Sequence, residues 1–167
     1  LVNLNVGQTR QDKWPSAPST TAVPATVGIY SGAVCSTRGK ASFQVAEGNS
    51  GGSVVNTNIH SLSKNKNIVP CETLDDILFD VTHAVVMKVD VEGHELEVIR
   101  GATHVLEANV KMGNVFVEVS FLGGKFDVWD VLTKRCNYTA QNLEGERMSK
   151  DFLIKSGTVE DVMFVKR

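Results

Sequence analysis

Val85-Val86-Met87-Lys88-Val89-Asp90-Val91-Glu92-Gly93-His94-Glu95 decides how this chain is read. The run opens apolar, the pattern of a strand buried on both faces. It then acquires Lys88, Asp90, Glu92 and Glu95, charges that a buried strand does not carry in its middle. After Gly93 the period changes, and Leu96, Ile99, Ala102 and Leu106 recur at helical spacing, with Val98 and Val105 widening the stripe. A strand, a sharp turn and a helix start therefore coincide. Charge at the carboxyl end of a buried strand marks where open α/β sheets take their ligands.

Lys88, Asp90 and Glu92 are two apart, so in a strand they share one face while Val89 and Val91 take the other. A structural reading exists for each. Lys88 and Asp90 can form an ion pair, Glu92 or Glu95 can favour the first helical turn, and Gly93 can permit the tight link. Their common location favours a functional reading. Glu118 closes the apolar run Val115-Phe116-Val117-Glu118-Val119, and successive strands are usually neighbours, so Asp90 and Glu118 are expected to share a crevice. Clustered carboxylates can hold a divalent cation, orient an amine or hydroxyl, or act as a general base. His94 can take a proton from a hydroxyl at neutral pH, or can simply be a partly exposed helix-start residue.

Away from this segment, residues 1–26 are rich in Ser, Thr and Pro and read as a polar loop or loosely ordered arm, with one α/β domain over 27–167. Val27 to Val34 and Ala41 to Val45 read as a hairpin-like pair of strands. Ile68-Val69 is a short strand. Thr73 is an N-cap for Leu74-Asp75-Asp76-Ile77-Leu78, whose acidic first turn suits the helix dipole. Phe126 to Arg135 fits a helix, Tyr138 to Leu143 a strand, and Asp161 to Val165 a final strand. Strands alternating with helices predict an α/β layered fold with a mainly parallel sheet.

The net charge of −2 over 167 residues gives no electrostatic footprint for nucleic acid, and Lys64 and Lys66 read as a solvated loop. No apolar stretch is long enough to span a bilayer. Cys35, Cys71 and Cys136 are widely spaced and odd in number, which predicts buried reduced thiols and favours a reducing, cytoplasmic setting. Asn137-Tyr138-Thr139 is a formal glycosylation sequon of the kind that arises by chance. Gly48-Asn49-Ser50-Gly51-Gly52 satisfies Gly-x-Ser-x-Gly, but a nucleophile elbow needs a helix after it, and Ser53-Val54-Val55-Asn56 starts a helix poorly. Asn49, Ser50, Gly51, Gly52 and Ser53 read instead as a loop near the site. No Gly-x-Gly-x-x-Gly and no phosphate-binding Gly-x-x-x-x-Gly-Lys motif occurs.

Thr73-Leu74-Asp75, the core Lys88-Val89-Asp90-Val91-Glu92-Gly93-His94-Glu95, Val98-Ile99-Arg100-Gly101-Ala102, Val117-Glu118 and Asp161 to Val165 together resemble the FkbM-type methyltransferase family over about residues 30–167. The resemblance implies a Rossmann-like domain dependent on S-adenosylmethionine, modifying oxygen on a small-molecule or sugar acceptor. It carries over Asp90 and Glu92 as acidic site residues, with Lys88, His94, Glu95 and Glu118 in support. A divalent metal near the acceptor is compatible with it. The family's glycine-rich cofactor loop has no counterpart in this sequence, so cofactor-binding residues are not assigned and the sheet is expected to be incomplete on its amino-terminal side. The opening Leu1-Val2-Asn3 fits a fragment of a longer protein. A non-catalytic binding module descended from such an enzyme is the alternative, and the oligomeric state is not encoded in any motif.

Overall fold

The computed structural model describes residues 29–44, 54–56, 68–91, 93–107, 111–120, 127–156 and 159–167. In chain order these form β1 (Ala33–Val34), β2 (Gly39–Gln44), β3 (Val54–Asn56), β4 (Ile68–Glu72), α1 (Leu74–Ile77), β5 (His83–Val89), α2 (Glu95–Arg100), α3 (Thr103–Glu107), β6 (Lys111–Ser120), α4 (Asp127–Asp130), a π-helical continuation (Val131–Arg135), β7 (Tyr138–Gln141), α5 (Lys150–Ser156) and β8 (Val159–Lys166). The arm at 1–26 and the loop at 49–53 lie outside the described residues.

The strands make two four-stranded sheets, ordered β1-β4-β2-β3 and β5-β6-β8-β7. The α/β class expected from the sequence holds, but the sheets are mixed rather than mainly parallel. β1 runs parallel to β4, and β5 runs parallel to β6. The other pairings are antiparallel, because β8 returns between β6 and β7, and β2 lies between β4 and β3. The expected hairpin of the first two strands is also absent: β4 separates β1 from β2. Pairing is chosen by long-range contacts that local alternation does not encode.

Thr73 caps α1 as expected, its hydroxyl accepting the Asp76 N–H at 3.0 Å. The helical stripe from Leu96 to Leu106 is divided into α2 and α3. The Gly101 carbonyl is taken by the Asp75 N–H at 2.9 Å, and the Asp75 carboxylate accepts the N–H groups of His104 and Val105 at 3.0 and 2.8 Å. Asp75 thus ends one helix and caps the next, satisfying donors that a helix start leaves open. Downstream, α4 loosens into the π-helical turn, in which the Cys136 N–H reaches back five residues to the Val131 carbonyl at 3.0 Å.

One face of the second sheet carries the main core. Met87, Val89, Val115, Val117, Val162 and Phe164 meet Val98, Ile99, Leu106, Leu132 and Leu153 from the helical segments. Trp129 packs edge-on against Phe164 with centroids 5.6 Å apart. β5 was expected to be buried on both faces and is not. Met87 and Val89 are buried, whereas Val85 and Val86 are 81% and 60% exposed. Among the described residues it is an edge strand, with Met87 and Val89 turned to the core.

Among the described residues, Ala33, Cys35, Ala41 and Cys71 form a separate buried cluster at the first sheet, with Val69 against it. Cys35 and Cys71 are joined as a disulfide, with Cα atoms 5.8 Å apart, inside the range that bridged cysteines occupy. This corrects the expectation of three reduced thiols; Cys136 alone is free, and it is buried. The odd count concealed a pair plus one. No helix among the described residues is long and apolar enough to cross a membrane.

Candidate functional site

β5 ends at Val89, so Asp90 and Val91 form the exit into the turn that precedes α2. The side chains of Lys88 and Asp90 still meet, Lys88 Nζ donating to Asp90 Oδ2 at 2.8 Å. The two are 62% and 43% exposed, so this is an accessible pair rather than a buried structural one. Both groups keep contact with water, and desolvation does not oppose the pairing as it would in a core. The hydrogen bond and charge of Asp90 hold the Lys88 ammonium above its ordinary pKa, burial acts slightly the other way, and the charges of Asp161 and Glu118 add to the rise. Lys88 therefore stays protonated and acts as a fixed cation.

β6 brings Glu118 to the same end of the sheet. In the parallel β5–β6 register Lys88 faces Phe116, and Glu118 lies two residues further on, on the same face. Across the antiparallel ladder Phe116 faces Met163, and Glu118 faces Asp161. One row of this face thus runs Lys88, Phe116, Met163, and the row beyond it holds Glu118 and Asp161. Glu118 and Asp161 are exposed, and Phe116 and Met163 are partly covered. The arrangement is a half-apolar bench edged by carboxylates and the Lys88 ammonium, at the carboxyl end of two parallel strands, where such sheets bind ligands. The expected approach of β5 and β6 is therefore observed.

Asp161 was read from the sequence only as the start of a strand. Its sole local signal is an acidic residue opening an alternating run; the register across β6 and β8 is what places it opposite Glu118.

Glu95 serves the backbone. Its Oε1 accepts the Gly93 N–H at 3.0 Å and the Val91 N–H at 3.4 Å, closing the turn from within. Gly93 sits at φ 92°, the left-handed region where a side chain is strained. His94 occupies the N-cap position of α2 without a side-chain capping bond, while its carbonyl accepts the N–H groups of Glu97 and Val98 at 3.1 and 3.2 Å. Its ring is half-buried. Glu92, and Asn49, Ser50, Gly51, Gly52 and Ser53 of the loop, lie outside the described residues. Among the described residues no group of three or more His, Cys, Asp or Glu side chains converges as a metal site.

A family model for the methyltransferase FkbM domain matches residues 3–140. The chain belongs to this family. The matched region contains the Lys88–Asp90 pair, the Gly93 turn and Glu118; Asp161 lies beyond it, on β8. No curated protein and no solved structure matches the chain. Membership in the FkbM family makes methyl transfer the general chemistry against which this sheet end is to be judged.

Proposed function

We propose that this chain is the acceptor side of a methyltransferase that methylates a hydroxyl of a small molecule or sugar. The observation that carries the reading is the accessible Lys88–Asp90 pair at the carboxyl end of β5, faced by Glu118 and Asp161. The acidic side chains suit S-adenosylmethionine, a cofactor bearing a sulfonium and an ammonium, since Asp90, Glu118 and Asp161 are the carboxylates among the described residues of this face. Glu118 and Asp161 are the groups we assign to a cationic ligand, and Asp90 to the acceptor. When bound, the cofactor supplies an electrophilic methyl group.

The chain's own residues have three tasks. Lys88 fixes one oxygen of Asp90 and so orients the carboxylate. Asp90 accepts a hydrogen bond from the acceptor hydroxyl and takes its proton as the oxygen becomes nucleophilic; Glu92, two residues on in the sequence, is the second acid we assign to this task. The Glu95-closed turn holds these groups still, and positioning of reacting groups is a large share of catalysis in such a transfer.

The test is transfer of tritium from methyl-labelled S-adenosylmethionine to a panel of sugar and small-molecule hydroxyl acceptors. Asp90→Asn is expected to lower turnover about 100-fold or more, the scale of a lost general base, with an unchanged circular dichroism spectrum and melting temperature. Transfer by Asp90→Asn at the wild-type rate would remove Asp90 from the chemistry. Acceptor binding with no transfer under any condition would favour the non-catalytic module.

A further inference from the structure

We infer that the Cys35–Cys71 disulfide is a redox-dependent clamp that holds α2, and through it the turn of the candidate site, in place. Among the described residues, the buried cluster at the first sheet centres on the bridge itself, the two half-cystines lying with Ala33 and Ala41 and the partly buried Val69 against them. A cross-link removes freedom that the segments it joins would otherwise have. Here the cross-link joins residues 36 apart in sequence and ties β4 to the residue just past β1. The backbone supports the same junction, the Cys35 N–H donating to the Glu72 carbonyl at 2.9 Å.

Both half-cystines lead to the same point on the second layer. From Cys35, the carbonyl oxygen lies so close to Gly101 that a Cβ there would collide with it, and the next residue, Ser36, donates its hydroxyl to Glu97 Oε2 in α2. From Cys71, the chain passes through the Thr73 cap into α1, where the Asp75 N–H donates to the Gly101 carbonyl at 2.9 Å. Gly101 is therefore gripped from two sides by segments that the disulfide locks together. α2 ends at Gly101 and begins at Glu95, the residue that closes the Val91–His94 turn. A continuous path of packed backbone and hydrogen bonds thus runs from the sulfur bridge to Asp90.

Opening the clamp is an ordinary exchange reaction. A thiolate of a dithiol reductant attacks one sulfur and the protein S–S bond breaks. The mixed disulfide is then displaced by the second reductant thiol. Two electrons and two protons end on Cys35 and Cys71 as thiols, and the reductant leaves as a cyclic disulfide. Cys35 and Cys71 are 4% and 2% exposed, so attack is slow until the sheet opens locally. Cys136 belongs to the other core cluster and takes no part. A cross-link of this kind belongs to a chain that folds under oxidising conditions, contrary to the setting its cysteine count favours.

The experiment begins with the chain equilibrated in a glutathione redox buffer, then alkylated in denaturant before intact mass measurement. One alkylated cysteine is expected after this equilibration and three after dithiothreitol; three before dithiothreitol would overturn the clamp. Amide exchange is then followed by mass spectrometry in oxidised and dithiothreitol-reduced protein. Peptides spanning 95–101 are expected to exchange on the order of tenfold faster or more after reduction. Peptides from β6 and β8 should change little. Equal exchange over 95–101 in the two states would overturn the inference even with the disulfide present. Cys71→Ser should match the reduced wild type and ignore dithiothreitol; where that variant fails to fold, the wild-type comparison stands alone.

Discussion

Removing the Glu95 carboxylate separates a turn-closing role from a chemical one. Two backbone donors depend on it. The Gly93 N–H bond at 3.0 Å has normal length, whereas the Val91 N–H bond at 3.4 Å is at the outer limit and contributes little. A hydrogen bond to a charged group is worth about 1.5–3 kcal/mol, and the exposure of Gly93 puts this one at the lower end. Glu95→Ala should therefore cost about 1.5 kcal/mol. For a domain of this size that corresponds to a fall of roughly 3–6 °C in Tm. Glu95→Gln keeps an oxygen where Oε1 stands but loses its charge, and charge roughly doubles the strength of such a bond, so about half the cost should return. Urea unfolding and thermal melts of the three proteins, with amide exchange at Gly93, give the ordering wild type, Gln, Ala. Glu95→Ala melting with the wild type while Gly93 keeps its protection would refute a turn-closing role. Loss of methyl transfer in Glu95→Gln at full stability would refute it too, because Glu95 would then be acting on the ligand.

Two further outcomes test the core around the site. Burial, with a smaller push from Cys136, raises the Tyr138 phenol to about 12, against an ordinary value of 10. Between these values the unfolded chain releases the proton and the folded chain keeps it, so stability present below pH 10 should fall as the pH rises toward 12. Urea midpoints across that window should show the fall, and Tyr138→Phe should flatten it. Asp75→Ala leaves the His104 and Val105 N–H groups without their carboxylate and should cost about 1–2 kcal/mol, the loss of an N-cap, read as a lower urea midpoint at unchanged m-value.

What could be read in advance was local. The Thr73 cap, the strand running into Gly93, the shared face of Lys88 and Asp90 and the nearness of β6 all follow from spacing and chain order. The misreadings were of pairing and depth. Val85 and Val86 are as apolar as residues of a two-sided strand, and nothing in their neighbours says that β5 is an edge. The insertion of β4 between β1 and β2, the bond between Cys35 and Cys71, and the meeting of Glu118 with Asp161 each depend on partners brought together by the whole fold. Glu95 was read as a supporting site residue, and its type does not reveal that it serves two backbone amides.

The position of β8 bears on how the chain is made. β7 pairs in its sheet with β8 over four register positions, and β8 also pairs with β6 over seven. During synthesis β7 leaves the ribosome first, when its place beside β6 is not the one it will occupy. It must wait at a distance of one strand until β8 slides between them and forms two ladders at once. A nascent chain paused after Gln141 would present the bare edge of β6 to any passing strand, which makes that interval the one in which a chaperone has most to protect.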